Sequence, residues 1–403
     1  MRTLLFLLCV FVALPAWASG WTSNLAPRTH LPLEFMAVDK DLQKAFLVRT
    51  SSDGKKISKY REMPCTTGMK TGDKQHENDQ KTPEGVYFLE RKVTSGLDYN
   101  RFGNSAYPLN YPNPIDRIQG KTGNGILIHG RGRIFGPRQT LGCIVLENDE
   151  VDSLDKHIQV SSTPVIVGER IAWNQNAAIP HEVLLGTWAW ARTRDKGDDA
   201  FFNLYDAKLY EKSSGLSFAR FKEQTRREIA KGDWADVRIG KVQIVDGPGY
   251  VVSVFSQLAM QDNVRQEGWR RLYWMKRGSS WKVVGEEWVP KSLTGTSDYS
   301  KGVEREILAF LKSASAAWEH RNEEALINLY SSTAKRGQDK GRNAIWQTLR
   351  REIASREANP YLGATTVAIT PKGVEAHIAS LSGSRTLVFR PGNFDTWTIV
   401  EED

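Results

Sequence analysis

The second half of the chain repeats itself, and this limits the folds open to it more than any other feature. Trp190 with Phe201-Phe202-Asn203-Leu204-Tyr205 is echoed by Trp318 with Ala325-Leu326-Ile327-Asn328-Leu329-Tyr330. Arg227-Glu228-Ile229-Ala230 returns as Arg351-Glu352-Ile353-Ala354, and Trp281-Lys282-Val283-Val284 as Trp397-Thr398-Ile399-Val400. Order and intervals are kept, as expected of two copies of one module. Each copy opens with amphipathic helical spacing and closes in alternating β segments, so 178–292 and 300–403 are expected to be two α+β modules. No acid or histidine that would carry chemistry recurs at equivalent positions, and His181, His320 and His377 read as solvated or packed. The copies read as binding, spacing or dimerisation modules, through which a second copy or a protein partner would dock.

The chain starts with Met1-Arg2, an apolar run from Leu4 to Leu14 and the small-residue exit Ala16-Trp17-Ala18. That is the layout of a secretory signal peptide covering residues 1–18, with cleavage expected after Ala18. The run is too short for a stable transmembrane helix and nothing of spanning length follows, so an exported protein of the periplasm or cell-wall space is expected. Cys9 is not at the cleavage point, which argues against a lipid anchor. Cleavage removes Arg2 as the sole charge, taking the formal net charge from +8 to +7. The basic residues are dispersed among acids, and Glu147 to Asp155 is itself acidic, so no basic stripe points to nucleic acid.

Two cysteines remain in the mature chain, Cys65 and Cys143. Cys65 reads as a small buried core residue; its pairing with Cys143 in an oxidising compartment stays open. From about Leu31 to Gly168, residues Glu34–Asp39, Lys44–Arg49, Gly85–Lys92, Gly125–Ile128 and Val160–Val167 read as short strands between Gly, Pro, Asn and Asp clusters. A mainly β domain over 28–170 is expected, with the long polar stretch Asp98 to Asn124 as an extended loop or lid.

Within that domain an apolar strand pattern ends in His129-Gly130, and a polar loop then leads to Thr140-Leu141-Gly142-Cys143-Ile144-Val145. A nucleophilic cysteine needs a base, a group that fixes the base's tautomer, and backbone donors for the oxyanion. His129 supplies the base. The Gly130 carbonyl is placed to orient its ring, and Gly142 permits a tight turn that exposes the Cys143 sulfur. The N–H groups of Leu141, Gly142 and Cys143 are the oxyanion candidates. No metal-ligand spacing surrounds the pair, and neither a metal nor an organic cofactor is expected.

These residues resemble the YkuD-type L,D-transpeptidases. The likeness rests on Thr67-Gly68, Lys81-Thr82-Pro83-Glu84-Gly85-Val86-Tyr87, Tyr107-Pro108-Leu109-Asn110-Tyr111-Pro112, Ile128-His129-Gly130, and Gly142-Cys143-Ile144 followed by Asn148. It implies a YkuD-like β-sandwich. It also implies that Cys143 attacks the central diamino acid of a peptidoglycan stem peptide, releases the terminal D-amino acid, and forms a thioester resolved by an amine or by water. Leu141 and Val145 stand where the family usually has His and Arg, a pattern similar to a subgroup that trims stems. The repeated modules resemble the nuclear transport factor two-like cone, and a catalytic domain with such a tail looks like the cell-shape L,D-carboxypeptidases. Arg131, Arg133 and Arg138 lie between base and nucleophile, where a guanidinium could hold a stem carboxylate, and Tyr107 and Tyr111 could form a platform. Release of a protein attached to peptidoglycan, a metal site built on Cys143 and His129, and an inactive wall-binding protein stay open as alternatives.

Overall fold

The computed structural model describes residues 20–131, 136–174, 181–262, 264–293, 299–380, 383–392 and 396–403. The signal peptide read from the sequence lies outside them. The chain forms two units, one holding the described residues before 180 together with 245–250, the other 180–244 and 251–403.

The first unit runs β1 (Thr22–Leu25), β2 (Glu34–Asp39), β3 (Lys44–Thr50), β4 (Ile57–Pro64), β5 (Gly85–Phe88), α1 (Tyr99–Phe102), β6 (Ala106–Pro108), α2 (Pro114–Ile118), β7 (Leu127–His129), β8 (Ile144–Val145), α3 (Asn148–Ser153), β9 (Pro164–Gly168) and β10 (Arg170–Trp173). A mixed five-stranded sheet has the order β4-β3-β2-β9-β5, and a three-stranded sheet the order β6-β7-β8. β2 pairs antiparallel with β3 but parallel with β9. Its run Phe35-Met36-Ala37-Val38 is buried throughout, as a strand covered on both faces must be. Met36, Val38, Leu47, Tyr87 and Val165 of the large sheet share one apolar core with Tyr107, Ile128 and Ile144 of the small one. The unit is therefore mainly β, these two sheets around a common core, with β1 and β10 paired in a third.

The stretch read as one extended loop, Asp98 to Asn124, is more ordered than that. It holds α1, β6 and α2. Asp98 caps α1 by accepting the Asn100 N–H. Asn113 and Asp116 form a capping box on α2, with Pro114 in its first turn, a start signal present in the sequence.

The second unit shows the helix-then-sheet run twice. Helices His181–Arg194, Asp199–Phe202, Ala207–Ser214 and Phe218–Ile229 precede an antiparallel sheet of long strands Tyr250–Gln261, Val264–Arg277 and Ser280–Pro290. Helices Tyr299–Glu319, Glu323–Ile327 and Arg342–Ala354 go with a mixed six-stranded sheet closing on Trp397–Glu402. Both runs are α+β, with helices set against an open sheet.

The repeat has a structural counterpart. Tyr205 pairs in parallel with Val283, and Tyr330 with Ile399, two residues past Trp281 and Trp397. An acid also recurs: the Tyr205 hydroxyl donates to Glu286 and the Tyr330 hydroxyl to Glu402, each five residues past the closing tryptophan. Arg270 neighbours Glu286 at 3.7 Å, and Arg336 and Arg385 pair with Glu402. These carboxylates, Glu402 buried and Glu286 partly so, are anchors paired with arginine. Among the described residues no helix is long and apolar enough to cross a membrane.

Candidate functional site

β7 and β8 run parallel, with Ile128 opposite Ile144 and His129 opposite Val145. Cys143 comes just before β8, a diagonal neighbour of His129 across the pair, the kind of position that side chains bridge over a sheet face. The isoleucines are buried in the core, so the strands beside His129 and Cys143 are fixed from beneath.

His129 is buried, and its Nδ1 lies 2.6 Å from the Gly130 carbonyl oxygen. A carbonyl only accepts, so Nδ1 carries the proton and donates it, leaving Nε2 with its lone pair. The Phe102 ring stands edge-on against the imidazole, 5.1 Å between centroids. Burial is the main influence on both titrating groups: it lowers the His129 imidazole below its ordinary value and raises the Cys143 thiol. Both shifts favour the uncharged forms. The thiol makes a long 3.7 Å contact with the Gly125 carbonyl.

Two threonines hold the loop that carries Cys143. Thr82 Oγ1 accepts the Gly68 N–H and donates to the Gly142 carbonyl, both at 2.9 Å, in a buried setting. Thr140 Oγ1 donates to the Cys143 carbonyl at 2.7 Å and accepts the Gly142 N–H at 3.1 Å. Gly142 has φ +138°, and a Cβ there would lie 2.9 Å from the Lys81 carbonyl oxygen, so this turn requires glycine. Buried Lys40 secures the Thr82 segment, donating to the carbonyls of Gly72 and Thr82 and pairing with Glu84 at 2.8 Å.

The residues singled out from sequence fall into three groups. His129, Gly130 and the Leu141–Cys143 turn converge on one edge of the small sheet. Of the three oxyanion candidates, the Gly142 amide is already taken by the Thr140 hydroxyl; the Leu141 and Cys143 amides show no backbone or side-chain acceptor among the described residues. Tyr107 and Tyr111 are not a platform: both are buried in the core, and the Tyr111 hydroxyl donates to the Thr122 carbonyl. Arg138 is also not poised for substrate, since its guanidinium pairs with Glu169 at 3.2 Å. Arg131 is half-buried, two residues past His129, and Arg133 lies outside the described residues.

Cys65 is buried with its thiol pushed up to about 12 by desolvation, and both cysteines are free thiols. Among the described residues no three His, Cys, Asp or Glu side chains gather as a metal site. Sequence reading missed the two threonine brackets and Lys40, whose partners lie up to 60 residues away. Thr82 stands inside a quoted motif, but its role depends on tertiary contact.

None of the curated proteins compared matches significantly. Among solved structures, Bd1075 of Bdellovibrio bacteriovorus is 23% identical, over 67% of this chain and 97% of that one, with a TM-score of 0.49. The helical cell shape determining protein Pgp2 of Campylobacter jejuni is 24% identical, over 63% and 91%, with a TM-score of 0.48. An NTF2-like protein with a cystatin-like fold from Novosphingobium aromaticivorans is 13% identical, over 29% and 83%, at 0.23. The family model of the YkuD L,D-transpeptidase catalytic domain matches residues 35–167, which span both sheets and the His129–Cys143 edge. By that match residues 35–167 are similar to the YkuD L,D-transpeptidase catalytic domain.

Proposed function

We propose that the chain is an exported peptidoglycan-modifying enzyme, an L,D-carboxypeptidase that removes the terminal D-amino acid from stem tetrapeptides through Cys143. The observation that carries this reading is the 2.6 Å bond from His129 Nδ1 to the Gly130 carbonyl, which leaves Nε2 as a neutral base next to the strand bearing the thiol. A main-chain oxygen thereby does what a carboxylate does in a triad.

His129 Nε2 takes the Cys143 proton, and the thiolate attacks the carbonyl carbon of the diamino acid. The resulting oxyanion is stabilised by the Leu141 and Cys143 amides. The tetrahedral intermediate collapses with cleavage of the C–N bond; imidazolium gives its proton to the departing amine, and a thioester remains. Water then attacks the thioester, passing a proton to Nε2, and the thiolate leaves as the new carboxyl forms. His129 reprotonates the sulfur.

Leu141 is 67% exposed and Val145 is buried. They stand in place of the family's usual His and Arg, so the site has fewer polar groups for orienting an acceptor amine, with Leu141 presenting an apolar side chain at the rim, which favours water. Mature protein incubated with defined tetrapeptide and tripeptide stems, beside Cys143→Ala, tests the reading by mass spectrometry. Cysteine-dependent loss of the terminal D-alanine with a water-derived carboxyl supports it. Dimeric product replaces it with transpeptidation, and no cysteine-dependent product refutes both.

A further inference from the structure

Helix α1 is docked onto the base. A Cβ on Gly103 or on Gly130 would lie 2.1 Å from Asn148 Oδ1, and the Asn148 amide donates to the Tyr99 hydroxyl at 3.2 Å. Two glycines thus let the end of α1, the residue after His129 and the start of α3 meet without intervening side chains.

This docking places Phe102 against the imidazole and Arg101 over Phe102, with the guanidinium carbon 5.2 Å from the ring centroid. Arg101 is exposed and has no side-chain hydrogen bond or ion pair among the described residues. Its positive charge bears on both Cys143 and His129. Lys74 also bears on Cys143 but is engaged by Asp79 and the His76 carbonyl. Arg131 bears on His129 alone of the two. Arg101 is therefore the unpaired cation that both reacting groups sense.

A carboxypeptidase substrate has a fixed negative charge at a fixed place. The departing amine must reach His129, and the terminal carboxylate is attached to the carbon bearing that amine. An unpaired guanidinium stacked on Phe102, the ring that abuts the imidazole, meets this requirement. We infer that Arg101 is the specificity residue that binds the terminal carboxylate of the stem peptide, so the site selects free chain ends over internal or amidated peptide bonds. The inference rests on the carboxypeptidase reading.

The experiment compares wild type, Arg101→Ala and Arg101→Lys on a tetrapeptide stem ending in D-alanine and on the same stem as its C-terminal carboxamide. Wild type is expected to prefer the free acid. Arg101→Ala is expected to raise KM for the acid about 10- to 100-fold, the scale of one charge-assisted hydrogen-bonded contact, leave the carboxamide unchanged, and reduce kcat less. Arg101→Lys should recover part of the acid preference. Iodoacetamide labelling of Cys143 at wild-type extent in each variant checks that the site is intact. Equal losses on acid and carboxamide, or an unchanged KM for the acid, overturn the inference while the function stands. Wild-type protein that releases no D-alanine overturns the functional reading and this inference with it.

Discussion

Replacing Thr82 by valine keeps shape and volume but deletes the hydroxyl that links the Gly68 amide to the Gly142 carbonyl. Both bonds are 2.9 Å and buried, so the variant leaves one buried donor and one buried acceptor unpaired. With each such orphan taken near the lower end of its range of about 1–3 kcal/mol, the two together cost about 3 kcal/mol and the extra buried methyl returns about 0.8 kcal/mol, for a net local loss of about 2 kcal/mol. At about 1.4 kcal/mol per factor of ten, that corresponds to about 30-fold more frequent opening of the nucleophile loop. Amide hydrogen exchange read by mass spectrometry on peptides covering 66–70 and 140–146 measures it directly. Exchange there should quicken about 30-fold, with strand Lys44–Thr50 little changed, and carboxypeptidase turnover should fall with it. Unchanged exchange in both peptides would refute the claim that Thr82 braces the turn. Acceleration spread evenly over the first unit would refute its locality.

Because burial raises the Cys143 thiol, its alkylation by iodoacetamide should rise with pH through a midpoint above the ordinary thiol value of about 8.5; a midpoint below about 7 would mean a resting thiolate–imidazolium pair instead. Burial opposes ionisation of Asp79, but bonds from Lys74 and the amides of Gln75, His76 and Lys81 outweigh it and hold the carboxyl at about 2. Its folded value lies below its unfolded value, so the stabilisation is present above about pH 4 and lost as pH falls through 2. Asp79→Asn should therefore weaken the first unit by about 1–2 kcal/mol at pH 6 and show a flatter stability profile between pH 5 and 2 in urea unfolding. Tyr330→Phe removes the hydroxyl bond to buried Glu402 and should lower the melting temperature of the second unit by several degrees, with D-alanine release unaffected at 25 °C.

The parts of this molecule written in local pattern were legible in the sequence. Phe35–Val38 is an unbroken apolar run between Glu34 and Asp39 with a turn after it, and the strand is Glu34–Asp39. Gly85–Lys92 was read as one strand, but the ladder with β9 ends at Phe88; Leu89 then bridges Leu109 and Val93 bridges Ala106. The chain crosses there from one sheet to the other, and periodicity does not register a change of partner. The tyrosines of the Tyr107–Pro112 motif were legible as a group but not in their direction, since an aromatic ring in a Pro-rich segment packs inward or outward with the same local sequence. Arg101 escaped notice for a related reason. Its significance lies in Gly103, Gly130 and Asn148 meeting in space, and no spacing along the chain announces that.

The central claim is that Cys143 is acylated by the stem peptide while His129 serves as base. Acid quench of wild-type protein during turnover of a tetrapeptide stem, followed by intact-mass and peptide mapping, tests it most directly. The account predicts a thioester adduct of tripeptide mass on Cys143, none on Cys65, and its loss in His129→Ala. Turnover without any adduct on Cys143, or an adduct formed equally well without His129, would contradict it.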